Sequence, residues 1–239
     1  MTRVLLVVPA YNEENSIKET VGSIRSYSPA GDYQLDYIVI NDGSTDSTGA
    51  VCERENIKCL NLVQNLGIGG AVQSGYLYAI ERDFDIVVQF DGDGQHDISS
   101  LDDLLAPILE GKADFVVGSR FLDGTSSFSS TFMRRVGIRY LSLVIRIVSG
   151  SKIADATSGY RAANRSAMTY LAKNYPTDYP EPESIVALMR KGFRLAEIQV
   201  NMFERTSGKS SINFGKSIYY MLKVSIAMLC TSMQRKERR

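Results

Sequence analysis

Residues 87–97 read VVQFDGDGQHD: an apolar run stops at two aspartates one residue apart, Asp91 and Asp93, with a glycine on each side of the second. Neighbouring carboxylates repel, and burial raises that cost unless a cation or hydrogen-bond donors neutralise them. A short continuous apolar run is how a strand buried on both faces of a parallel sheet reads. Such a strand needs helices on either side of it.

Working outward, the chain supplies them. Before this stretch come "RVLLVVPA" and the helical pattern "ENSIKETVGSIRSY", "DYIVIND" and "STDSTGAVCERE", then "IKCLNLV" and "GIGGAVQSGYLYAIERD". After it come "SSLDDLLAPILEG" and "ADFVVGSR". This alternation predicts right-handed crossovers and an α/β core: a mostly parallel central sheet flanked by helices, like a Rossmann fold. The pattern breaks at the Ser/Gly/Thr-rich "FLDGTSSFSSTF", which reads as a mobile loop over 122–134. Beyond it lie a basic amphipathic helix, "ADATSGYRAANR", the Pro-rich "NYPTDYPEPES", a helix, the strand "RLAEIQVNMF" and a last amphipathic helix.

In open α/β sheets ligands bind beyond the carboxyl ends of the strands. There the polar residues collect: Pro9, Tyr11, Asn12 and Glu13 after the first strand; Asn41, Asp42 and Ser44 after the second; Asn65, Gly67 and Gly69 after the third; Asp91 and Asp93 after the fourth. One cluster alone reads as a helix cap. Four in succession point to a nucleotide site. Mg²⁺ or Mn²⁺ is held by one or two carboxylates, with waters and substrate phosphates completing its shell, so Asp91 and Asp93 are the candidate ligands. On an extended chain they share a side, and Gln95 continues it.

Composition limits the chemistry. With 239 residues, 44% hydrophobic and 23% charged, one domain spanning 1–239 is expected. Equal numbers of basic and acidic residues, 27 each, offer no global field for nucleic acid. His96 is the sole histidine, which argues against a histidine zinc site or a histidine-based nucleophilic triad. Cys52, Cys59 and Cys230 lack metal-ligand spacing and fit reduced thiols in a cytoplasmic setting. The opening apolar run is too short for a signal peptide, and 136–150 and 217–233 fall short of the roughly 20 apolar residues that span a bilayer.

"VVPAYNEE", "VINDGSTDST", "NLGIGGAVQSGY", "FDGDGQHD", "GSRF", "ATSGYRA" and "FERTSGKSS", in that order over about residues 4 to 215, resemble family 2 glycosyltransferases, specifically the dolichyl-phosphate mannose synthase-like branch. The resemblance implies a GT-A fold, a nucleotide-diphosphate sugar donor (a UDP-sugar first, a GDP-sugar second), a divalent metal and inversion at the anomeric carbon. It further implies that Pro9, Tyr11 and Glu13 hold the base and ribose, with Asp42 near the base. Asp91, Asp93 and Gln95 would meet the metal and diphosphate. Arg120 and Arg135, with Arg134 beside it, would face phosphates, and Arg161, Arg205, Ser207 and Lys209 would line the donor and acceptor pocket. Residues 1–120 would form the nucleotide-sugar half, 121–216 the acceptor side, and 217–239 a C-terminal helix and basic tail. Relatives often continue into membrane-spanning helices; here the route to a lipid acceptor would be peripheral, at the inner face of the membrane, through Arg134, Arg135, Arg139, Arg146 and the basic tail. Asp97 stands where relatives usually have proline, and either charges the metal site or caps the next helix.

The acceptor decides whether a base is needed. A polyprenyl phosphate is already anionic, whereas a saccharide hydroxyl must lose a proton, and Glu183, or else Asp155 or Glu181, could take it. Two other classes compete. A nicotinamide oxidoreductase would want G-x-G-x-x-G after the first strand, and the near miss "GIGGAV" follows the third. A non-catalytic nucleotide-binding protein would have no use for the paired aspartates.

Overall fold

In the computed structural model the described residues are 1–122, 132–150, 152–176, 180–203 and 214–233, with backbone alone for 132–134 and 214–220. Strand β1 (Thr2–Ala10) is buried from Val4 to Ala10, and parallel partners flank it: β2 (Tyr33–Asn41) on one side and β4 (Ile86–Gln89) on the other. The short edge strand β3 (Cys59–Asn61) extends β2. Helices α1 (Ile17–Ser26), α2 (Thr48–Arg54) and α3 (Gly67–Glu81) make the crossovers.

Alternation of side chains divides β1 between two cores. Leu5 and Val7 pack with α3 and with α6 (Arg165–Asn174), while Val4, Leu6 and Val8 pack with α1 and α4 (Leu101–Leu109) on the opposite face. Helix α3 lies close on β1 because position 75 is glycine: a Cβ there would sit 2.2 Å from Val7 Cγ1.

After α4 the sheet departs from simple alternation. Strand β5 (Phe115–Ser119) does not join β4. Between them lies β6 (Arg161–Asn164), antiparallel to both, and β7 (Leu195–Gln199) then pairs parallel with β5. The order is β3-β2-β1-β4-β6-β5-β7, mostly parallel as the sequence predicts, with one reversed strand it does not announce. Helices α5 (Phe132–Ser149), α7 (Pro180–Arg190) and α8 (Phe214–Met233) pack together over the C-terminal half of the chain. Among the described residues no helix is long and apolar enough to cross a membrane.

Candidate active site

The carboxyl ends of β1, β2 and β4 surround a cavity of about 270 Å³ lined by Pro9, Tyr11, Glu13, Asp42, Asp91 and Asp93, together with Ala10, Ile68, Ala71 and Gly92. Its floor is held by the clusters noted above. Asn12, at φ 58°, turns its side chain onto the next loop, where Oδ1 accepts from the backbone N–H groups of Thr45 and Asp46. Asp42, 3% exposed, accepts from the Leu66 N–H at 2.7 Å, tying β2 to the turn before α3. Gly43, at φ 62°, has room for no Cβ: one would meet Asn65 N at 2.6 Å. Gly67, at φ 77°, starts α3, and Gly69 is buried within it.

Asp91 and Asp93 both line the cavity, but not by strand alternation. Strand β4 ends at Gln89, and residues 92–94 turn, with Gly94 at φ 75°, so the extended-chain argument for Gln95 fails. Gln95 lies outside the cavity lining, where its carbonyl accepts from the Phe203 N–H. Glycine between the aspartates is required, since a Cβ at position 92 would press on the Pro9 carbonyl at 2.9 Å. Asp91 Oδ1 accepts from Gln89 Nε2 at 3.1 Å, and Asp93 Oδ1 from the Gln95 N–H at 3.1 Å.

His96 completes the setting of Asp91. It is buried, stacked on Tyr160 with ring centroids 4.7 Å apart, and its Nδ1 accepts from the Asp91 N–H at 3.0 Å. That hydrogen bond leaves the proton on Nε2, which lies 3.4 Å from Asp91 Oδ2. Burial holds the imidazole below its ordinary pKa, opposed by Asp91 and reinforced by Arg120. Asp97 is a cap: Oδ1 accepts from the Ser99 N–H at 2.9 Å.

Several residues expected in the pocket serve beneath it. Arg120, expected to face phosphates, is 4% exposed and grips fully buried Asp155 through Nε at 2.6 Å and Nη2 at 2.8 Å. Arg161, likewise expected to line the pocket, is 1% exposed and donates to the carbonyls of Ser158, Ala156 and Glu181 and to Ser184 Oγ, bracing β6 against α7. Glu183 points elsewhere, accepting from Thr231 Oγ1 of α8 at 3.0 Å. Burial raises the pKa of Glu181, Arg161 opposes this, and the charge of Asp91 adds to it. Arg135 lines a second cavity, of about 350 Å³, shared with Arg139, Arg146 and Lys152 and bordered by Phe121, Ile153 and Ala154. The side chain of Arg134, the residues Arg205, Ser207 and Lys209, and the loop from 123 to 131 lie outside the described residues.

Among the described residues no group of three or more His, Cys, Asp or Glu side chains is placed to hold an ion by itself. Two carboxylates beside a cavity fit a divalent ion that completes its shell with substrate phosphates.

The family model for "Glycosyl transferase family 2" matches residues 5–171. The chain belongs to that family. This family 2 glycosyltransferase is 30% identical over 224 residues to the undecaprenyl-phosphate mannosyltransferase of Micrococcus luteus, covering 89% of this chain and 88% of the relative. It is 27% identical over 245 residues to the UDP-N-acetylglucosamine–dolichyl-phosphate N-acetylglucosaminyltransferase of Methanococcus voltae, covering 92% and 94%. Its fold matches that of glucosyl-3-phosphoglycerate synthase from Mycobacterium tuberculosis, crystallised with Mn²⁺, UDP and glucosyl-3-phosphoglycerate, with a TM-score of 0.71, 23% identity, and 99% of this chain and 81% of that one covered. The glycosyltransferase therefore has the GT-A architecture expected from its sequence.

Proposed function

We propose that this glycosyltransferase moves a sugar from a UDP-sugar, or secondarily a GDP-sugar, to a polyprenyl phosphate, with inversion and with Mg²⁺ or Mn²⁺. The observation that carries the acceptor is the second cavity: Arg135, Arg139, Arg146 and Lys152 bring four cations to one apolar-walled space, which suits an acceptor that is already anionic. Named relatives that act on undecaprenyl and dolichyl phosphates support the reading. So does their coverage, which runs nearly the length of both chains.

Donor binding falls to residues 1–120, where Tyr11, Glu13 and Asp42 meet the nucleoside and the turn through Gly67 and Gly69 faces the diphosphate. Asp91 and Asp93 would hold the ion, which when bound supplies positive charge to the leaving diphosphate. An acceptor phosphate oxygen attacks the anomeric carbon as its bond to the diphosphate breaks, so the protein needs no covalent nucleophile and no base. Its own work is to orient the two anions and exclude water. Residues 121–216 would receive the acceptor at the inner face of a membrane.

Glu181 favours a second reading. Its raised pKa suits a general base for a saccharide hydroxyl better than Glu183 does, because Glu183 is turned to α8. Purified protein offered UDP- and GDP-sugars with Mn²⁺, and short-chain polyprenyl phosphate or free glycans as acceptors, should glycosylate the lipid phosphate. Transfer to glycans alone would overturn the proposal.

A further inference from the structure

Gln89 is a polar residue at a place where the core is otherwise apolar. It ends β4, is 2% exposed, and by side-chain alternation shares the face of Val87, which packs against α3 and α6. A primary amide left without partners there would be costly, so both of its ends need one. Both have one. Nε2 donates to Asp91 Oδ1 at 3.1 Å, and the hydroxyl of Tyr175, the residue that follows α6, donates to Oε1 at 3.5 Å. Behind Tyr175 stands Tyr76 of α3, with ring centroids 5.2 Å apart and the two hydroxyls hydrogen-bonded.

The carboxylate fixes the direction of this chain. It can only accept, so the amide turns Nε2 to Asp91 and Oε1 to Tyr175. Tyr175 then spends its one proton on Oε1 and takes a hydrogen bond from Tyr76. Burial pushes the Tyr76 hydroxyl up to about 12 and that of Tyr175 well above its ordinary value, so both keep their protons at neutral pH. Gln73 Nε2 donates to the Ala172 carbonyl at 2.9 Å and ties together α3 and α6, the helices behind the two rings.

Asp91 is thereby held in one pose. Gln89 takes Oδ1, while Oδ2 lies 3.4 Å from His96 Nε2 and against Gly159, where a Cβ would sit 2.5 Å from it. Because the amide is neutral, the carboxylate keeps its net charge for a cation, which a lysine or arginine in the same place would oppose.

We propose that Gln89, oriented by Tyr175 and Tyr76, is a positioning residue for Asp91 and sets its carboxylate for the divalent ion. The proposal rests on the reading of Asp91 as a ligand and adds the buried amide and tyrosines that aim it.

The experiment is Mn²⁺ titration of the full chain by electron paramagnetic resonance in the presence of UDP, with circular dichroism and Tm recorded for each variant. Gln89→Leu should weaken Mn²⁺ binding about 10-fold to 100-fold. Tyr175→Phe should weaken it by a smaller factor, since the amide remains but can turn. The double variant should be no weaker than Gln89→Leu, because the tyrosine acts only through the amide. Gln89→Glu, which keeps the shape and replaces the donor by an oxygen, should not restore affinity. Native affinity in folded Gln89→Leu, or factors that multiply in the double variant, would overturn the proposal; should Gln89→Leu not fold, native affinity in Tyr175→Phe does so. Asp91→Ala separates the two readings. If it leaves Mn²⁺ binding unaltered, the ligand reading falls and this one with it, whereas if it abolishes binding and Gln89→Leu changes nothing, only this one falls.

Discussion

His96 holds Asp91 at two points, accepting from its backbone N–H through Nδ1 at 3.0 Å and presenting Nε2 to its carboxylate at 3.4 Å. One imidazole thus sets both the turn and the carboxylate. Replacing it by leucine keeps the bulk and removes both contacts. His96→Leu should strand the Asp91 N–H at a cost of about 1–3 kcal/mol in stability and weaken Mn²⁺ binding about 10-fold to 100-fold. Thermal unfolding and Mn²⁺ titration by electron paramagnetic resonance read these separately, and unchanged Mn²⁺ affinity would reduce His96 to a packing residue.

Asp93→Ala should abolish metal-dependent transfer and leave the fold intact, because it removes carboxylate repulsion together with a ligand. Unaltered turnover at saturating Mn²⁺ would reject Asp93 as a ligand.

Glu181 and Glu183 are separable by mutation. With a polyprenyl phosphate acceptor, Glu181→Gln should lower kcat only modestly; with a glycan hydroxyl it should cost roughly 10²-fold to 10⁴-fold. Glu183→Gln should affect stability through its Thr231 contact, and activity little, with either acceptor. Parallel assays of both variants on both acceptors decide the matter.

Asp155→Asn leaves Arg120 buried beside a neutral amide. Breaking a buried pair from one side costs about 3–5 kcal/mol, so a large fall in Tm is expected. Arg120→Met strands the fully buried Asp155 carboxylate in the same way, so a comparable fall in Tm is expected.

Asp114 supplies a pH signature remote from the site. Hydrogen bonding by Arg194, through Nε at 3.1 Å and Nη2 at 3.0 Å, holds its carboxyl below the usual carboxylate range, with burial opposing. The folded pKa is depressed, so the stabilisation is complete above the unfolded value of about 3.9 and disappears as pH falls through the folded value. The difference in Tm between wild type and Asp114→Asn should therefore be constant from pH 7 to about pH 5 and shrink below that. A difference that widens on acidification would contradict the assignment.

The first half of the fold was legible because its strands are unbroken Val/Ile/Leu runs, such as 4–8 and 86–88, bounded by polar clusters. The aspartate pair was legible for the same reason. Strand β6 was not: Arg161–Asn164 offers only two alanines as apolar content and is set by its neighbours, Ile86–Gln89 and Phe115–Val117. Helix α6 passed unnoticed behind the polar 164–166. The partners of Arg120 and Arg161 could not be read, since they lie up to 37 residues away and a guanidinium is equally suited to phosphate, carboxylate or carbonyl. The extended-chain argument for Gln95 assumed a strand where Gly94 makes a turn.

The reversed strand has a consequence for how the chain acquires its shape. β5 touches β6 and β7 but not β4, so the Val and Phe side chains of 115–117 have no strand to join until residues 161–164 have been synthesised and inserted between them. During translation the exposed edges of β4 and β5 would wait for a segment more than 40 residues downstream, a pairing of high sequence separation and correspondingly slow closure. A truncation at residue 120 would therefore release a chain with two unsatisfied edges, prone to associate with its own kind, whereas one ending after 174 would carry the inserted strand and helix α6 and cover the edge of β4.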